Sequence, residues 1–237
     1  MITDRDIKQV TAFIDGVDIY DYGALVESFS VSGTAVVNTA YQGVNSTGFN
    51  VLSTIRGARQ ITLNLFYSGD TRRDLALKKA KIDNAIGNGK IDLFLPDGFH
   101  YFAYLTSIGE EKMLGVDRKG LIALCTYTLE GIRHDELESF EVTSGQSFDC
   151  TSLIPETDVR LTCTASQAYA SITIGTVTIT SVAQGDVLVV DGINKRILQN
   201  GGPCAGNMSF VHFPKLVPGL NTISCPETMT VEYYPTY

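Results

Sequence analysis

The sequence contains no tryptophan. Sugars commonly stack on tryptophan, so its absence weakens any reading as a carbohydrate-binding module. Tyr233, Tyr234 and Tyr237 are the aromatic substitutes at the C-terminal end. A tyrosine-rich last strand more often packs its rings and wets its hydroxyls. Long apolar runs are missing too: no stretch approaches the ~18–20 residues of a membrane helix. Positive charge is scarce. The net charge is −8, the acidic excess is shared by both halves, and no basic face offers itself to phosphates. Sequence-specific nucleic-acid binding is therefore not expected.

Close cysteine pairs are absent. Five cysteines stand at positions 125, 150, 163, 204 and 225, an odd number without a C-x-x-C pair, which speaks against a zinc cluster. Buried, reduced thiols are expected, with a bridge such as Cys204–Cys225 left open. The start, MITDRDIKQV, carries two aspartates and lacks the apolar core of a secretory signal, so folding in the cytoplasm is expected.

Catalytic signatures are also missing. There is no G-x-S-x-G elbow and no phosphate-binding G-x-x-x-x-G-K-[ST]. Gly87-Asn88-Gly89-Lys90 follows a predicted helix instead of opening one, so no helix N-terminus points at a ligand there. His100, His134 and His212 lie far apart. His100 reads as a packed or half-exposed strand residue, and His134-Asp135-Glu136 as a solvated acidic turn. Glu110-Glu111 falls on a loop tip. No catalytic residue, cofactor-binding residue or metal ligand is assigned, and an enzyme is not expected.

What is present is β-structure around one helix. Ile61, Leu63, Leu65 and Tyr67 alternate with Thr62, Asn64 and Phe66, as in a strand with one buried face. Asp70 or Thr71 can cap a helix. Leu75, Ile82, Ala85 and Ile86 then share one side of it, away from Arg72, Lys78, Lys79 and Lys81. Gly87 and Gly89 supply its stop. Ile91–Leu95 and Phe99–Leu105 flank the turn Pro96-Asp97-Gly98. Upstream, Phe13-Ile14 and Val17–Ile19 flank Asp15-Gly16 as a tight hairpin, and Leu25–Val31 reads as a further strand.

Two segments stand out as candidate contact regions. Residues 38–50, NTAYQGVNSTGFN, are too long for a simple connection and read as a loop or extended arm. Residues 107–120 separate two strands as a protruding hairpin tip. Met113 and Leu114 there either fold back onto their own domain or meet another chain. The polar, acidic stretch from Gly131 to Phe148 reads as a domain boundary. Beyond it, short β-rich segments recur from Val159 to Tyr234 with turns such as Asp191-Gly192 between them, at the spacing of a sandwich of about 100 residues.

The strings FIDGVDIYDYG, ITLNLFYSGDT, DLALKKAKIDNAI and LFLPDGFHYFAYL in the first half resemble the distal tail proteins of long-tailed, non-contractile bacteriophages, the Dit family. GDVLVVDGINKRILQNGG followed by FPKLVPGLNTIS extends the resemblance through the second half. It implies a mainly β chain. Residues 1–138 would form a β-sandwich or barrel with one helix, the ring-forming belt domain, and residues 139–237 a galectin-like β-sandwich. It also implies a structural virion protein: a hexameric ring at the end of the tail tube, acting as a hub between tube and tail-tip or baseplate host-adhesion proteins. The implied partners are further copies of the chain, the tail tube protein and the tail-tip, baseplate and receptor-binding proteins. DNA would only pass through the channel, and no membrane or cofactor is involved. The implied place is the tail tip of the virion, assembled in the host cytoplasm. Tyr41, Val44, Phe49, Met113 and Leu114 are the expected contacts between copies. The alternatives are a carbohydrate-binding β-sandwich module and another ring-forming tail protein such as a tail-tube subunit.

Overall fold

The computed structural model describes residues 11–34, 36–41, 50–117, 120–204 and 206–237. The chain divides into two compact units, Met1–His134 and Asp135–Tyr237, each with its own apolar core. The fold is mainly β with one α-helix among the described residues, as the sequence predicts.

In the first unit the strands are β1 (Phe13–Ile14), β2 (Val17–Asp18), β3 (Ala24–Val31), β4 (Val36–Tyr41), β5 (Asn50–Arg56) and β6 (Arg59–Gly69). The helix α1 (Arg72–Gly87) follows, then β7 (Lys90–Phe94), β8 (His100–Ile108), β9 (Lys112–Asp117) and β10 (Gly120–His134). One antiparallel sheet runs β2-β1-β7-β8-β10-β6-β3, with β9 paired to β10, while β4 and β5 form a separate two-stranded ribbon. The longest strand, β10, pairs with β6 along one side from Leu121 to Gly131. Along its other side it pairs with β9 over Gly120–Leu124 and with β8 over Tyr127–His134.

The alternation read in β6 places Ile61, Leu63, Leu65 and Tyr67 in the core. Thr71 caps α1 by accepting a hydrogen bond from the Asp74 amide at 3.1 Å, and the Asp74 carboxylate accepts one from the Asp70 amide at 3.2 Å. Gly69 allows the strand to approach this first turn, since a β-carbon there would lie 2.7 Å from the Leu75 nitrogen. Leu75, Ile82 and Ile86 are buried on the helix face that meets the sheet. The stop comes at Gly89, whose φ of +82° a side chain would resist. Tyr127 of β10 is wholly buried, and its hydroxyl donates to Asp83 Oδ1 of α1 at 2.8 Å. Lys79 pairs with the other oxygen of Asp83 at 2.6 Å. Burial and the bond to Asp83 push the Tyr127 phenol far above its ordinary value. Tyr127→Phe is expected to cost about 1 kcal/mol in urea unfolding, the net worth of one such bond, because Asp83 can rehydrate.

The second unit holds β11 (Glu138–Val142), β12 (Ser147–Cys150), β13 (Thr157–Thr164), β14 (Tyr169–Ile174), β15 (Val177–Val182) and β16 (Val187–Asp191). These are followed by β17 (Arg196–Gln199), β18 (Gly202–Pro203), β19 (Met208–Phe210), β20 (Lys215–Leu216), β21 (Gly219–Thr222) and β22 (Met229–Tyr233). The larger sheet runs β11-β22-β13-β16-β17-β18, with β20 on β13; β14-β15-β19 and β12-β21 form two smaller sheets. Val159, Leu161, Ile174, Val177, Leu188 and Val231 are among the residues that fill the core. All five cysteines of the chain are buried free thiols, so no Cys204–Cys225 bridge forms.

Three readings of the sequence change. The stretch from Gly131 to Phe148 does hold the division between the units, at His134–Asp135, but it is largely strand, belonging to β10, β11 and β12. Phe140, Val142, Phe148 and Cys150 turn inward while acidic neighbours face out, which is why it looked polar. His134 ends β10 with 1% exposure and is no solvated turn. The predicted tip at 107–120 contains a strand of its own, β9, so Met113 and Leu114 lie on a strand beside β10.

Candidate functional site

Of the expected contact residues, Tyr41, Met113 and Leu114 lie on strands of the first unit. Tyr41 ends β4, opposite Asn50 of β5. Val44 and Phe49 lie outside the described residues. Met113 and Leu114 keep 49% and 53% of their surface exposed. Neither packs into the core of its own unit, so their apolar surface faces water unless another surface covers it. Among the described residues β3 ends the sheet, with β6 as its partner. β3 is eight residues long, and a strand at the end of a sheet is the kind of edge that joins strands between chains.

Among the described residues, one cluster of ionisable groups brings three possible ligand atoms together, and the sequence did not single it out as a site. Asp92 on β7, His100 on β8 and His134 on β10 bring one ligand atom each within 4.8 Å of one another. His100 Nδ1 lies 3.0 Å and His134 Nε2 3.3 Å from Asp92 Oδ1. Strand register explains the meeting. His100 stands opposite Phe94 on β7 and opposite His134 on β10. Asp92 stands opposite Phe102, two residues along from His100, so all three side chains share one face. The Asp92 main chain is held by its amide donating to Asp15 Oδ1 and its carbonyl accepting from the Asp15 amide, both at 2.8 Å. The Phe102 ring stacks on His134 at 3.7 Å, and Phe94 lies 4.8 Å from His100. Partial burial opposes the Asp92 charge, but hydrogen bonds and attraction from His134 and His100 outweigh it and hold the carboxyl below its ordinary range. The Asp92–His100 half was legible in the hairpin around Pro96-Asp97-Gly98. His134 needed the β8–β10 pairing.

The remaining buried or half-buried carboxylates of the second unit serve local structure. Glu227 accepts from the Ser166 amide and hydroxyl and from the Tyr169 hydroxyl, at 2.6–2.8 Å. Glu138 accepts from the Tyr233 hydroxyl at 2.6 Å, which, after burial, helps push that phenol up to about 12. Tyr233 is fully buried and offers no stacking platform. These hydrogen bonds tie Glu227 to the segment Ser166–Tyr169 and Glu138 to the last strand, and so fix local structure.

No protein-family model matches the sequence, and no curated protein does. Solved structures match it along nearly its whole length. The SPP1 Dit protein, described as a paradigm of the hub adsorption apparatus in phages infecting Gram-positive hosts, is 14% identical with a TM-score of 0.69, over 96% of this chain and 98% of that one. A chain of the phage p2 baseplate in its activated conformation with Sr is 11% identical with a TM-score of 0.61, over 94% and 97%. A chain of the same baseplate with Ca is 10% identical, also with a TM-score of 0.61, over 96% and 98%. At these identities the likeness is one of fold. Both units, in order and from end to end, have the fold of the phage Dit and baseplate proteins.

Proposed function

We propose that this chain is a structural protein of a phage tail tip, a Dit-type hub. The observation that carries the reading is the end-to-end match to SPP1 Dit, which spans both units without a large insertion on either side. Residues 1–138 would be the ring-forming belt domain and residues 139–237 the galectin-like sandwich. Six copies would close a ring at the end of the tail tube. The ring would join the tube protein on one side to tail-tip, baseplate and receptor-binding proteins on the other. The net charge of −8 suits a channel through which DNA slides, because phosphates are repelled. No helix among the described residues is long and apolar enough to cross a membrane. No enzymatic step is assigned, since the carboxylates of the second unit described above are taken up in local hydrogen bonds.

The first unit offers what a ring needs: two different sticky surfaces on one body. Among the described residues β3 lies at one end of the sheet order, and the β9–β10 hairpin carries the exposed Met113 and Leu114. A head-to-tail contact between unlike surfaces closes a ring when the rotation permits. Native mass spectrometry of the purified chain is expected to find six copies or multiples of six. Met113→Asp combined with Leu114→Asp is expected to shift the population to monomers, because two carboxylates would have to be buried at the contact. An unchanged oligomer in the double variant would remove this hairpin from the interface, and a wild-type monomer that stays monomeric with its tube partner would remove the ring.

A further inference from the structure

We propose that Asp92, His100 and His134 bind one divalent transition-metal ion of the zinc class, independently of the assembly role above. Two imidazoles and one carboxylate are the donor set that borderline ions such as Zn²⁺, Co²⁺ and Ni²⁺ take, whereas Ca²⁺ and Mg²⁺ prefer all-oxygen sites. The spacing fits. Ligand atoms about 2.1 Å from a common ion lie about 3–3.5 Å apart when adjacent, and the two measured separations are 3.0 and 3.3 Å. The third pair lies within 4.8 Å.

The three groups are also placed before any ion arrives. Each sits on a different strand, β7, β8 or β10, with the register fixed by ladder hydrogen bonds. Two main-chain bonds to Asp15 hold the Asp92 backbone, and the stacked Phe102 holds the His134 ring. Phe94 and Phe102 form an apolar wall, the setting in which metal ligands keep their orientation. His134 is buried at 1%, while the side chains of His100 and Asp92 remain 34% and 36% exposed. That one-sided exposure gives an ion a route in and leaves its remaining positions to water. An ion there would tie three strands of the sheet together and raise the melting temperature of the first unit, since it binds only the folded form.

The test uses the full chain, stripped with chelator and titrated calorimetrically with ZnCl₂ at neutral pH. One ion per chain is expected, with no heat from CaCl₂. His100→Ala and Asp92→Asn are expected to weaken binding at least ~10-fold. Both side chains are a third exposed, so the variants should keep the wild-type far-UV circular dichroism. His212→Ala, in the other unit, should leave affinity unchanged. Cobalt loading separates this site from the buried thiols: visible d–d bands without intense thiolate charge-transfer absorption are expected. Absence of binding, equal affinity in the wild type and both site variants, or a thiolate band with cobalt would each overturn the proposal.

Discussion

Ile82→Ala is expected to destabilise the first unit by about 2–5 kcal/mol, the range for emptying a buried aliphatic site. Ile82 has no exposed surface, and it sits mid-way along α1, the only α-helix among the described residues. The helix is held to the sheet by a narrow apolar row, Leu75, Ile82 and Ile86, aided by the Tyr127–Asp83 hydrogen bond. Removing the middle member leaves a cavity flanked by strands that are themselves locked in a ladder and cannot collapse into it. Leu77→Ala is the control. Leu77 lies on the outer side with 56% exposure, and a change there should stay within ~0.5 kcal/mol. Far-UV circular dichroism in urea reads both, since the chain has no tryptophan to report by fluorescence. Because each unit has a core of its own, the transition that moves should belong to the first unit, with the second unchanged. A cost under ~1 kcal/mol for Ile82→Ala would mean the helix is not docked as described.

The second large effect is expected at Asp191. Its carboxylate is wholly buried at the turn between β16 and β17. One oxygen accepts from the Asn194 amide at 3.0 Å, and the other from Asn194 Nδ2 at 2.8 Å and Arg196 Nε at 2.9 Å. Next to it, the Gly192 amide donates to the Val159 carbonyl at 2.9 Å, so the turn is pinned to β13. Asp191→Ala strands the Asn194 amide and empties a polar pocket, at a cost of about 3 kcal/mol. Arg196 is half exposed and stays hydrated, which limits the loss.

The same residue gives the second unit an acid limit. Burial disfavours the Asp191 charge, but Asn194 and Arg196 outweigh it and hold the carboxyl below its ordinary value. Asp186, bonded by Asn200, the Ala183 amide and Gln199, and Glu227, bonded by Tyr169 and Ser166, are depressed in the same direction. A carboxyl whose folded pKa lies below its unfolded one stabilises the fold fully above the unfolded value. It loses that contribution as the pH falls through the folded value. With unfolded values of about 3.9 and 4.3, the melting temperature of the second unit is expected to be level from neutral to about pH 5 and to fall steadily below about pH 4. In Asp191→Asn the fall should be shallower. A melting temperature that rises on acidification would contradict the assignment.

The sequence by itself determined what depends on neighbours along the chain. The period-two run from Ile61 to Tyr67, a helix cap at Asp70 or Thr71, the row Leu75, Ile82 and Ile86, and the turns at Asp15-Gly16 and Asp191-Gly192 all act within a few residues, where side-chain period and backbone preference decide the outcome. Only the tertiary structure decided what depends on which strands lie side by side. It turned the acidic stretch around Phe140 into strands whose apolar alternation was hidden among charges. It made a strand of the residues around Met113, because β10 is long enough to carry both β8 and β9 on one side. It also brought His134 across to His100 and Asp92. That meeting rests on the register of two strands joined through a distant part of the chain, and ladder hydrogen bonds between such strands leave no mark in the local order of residues.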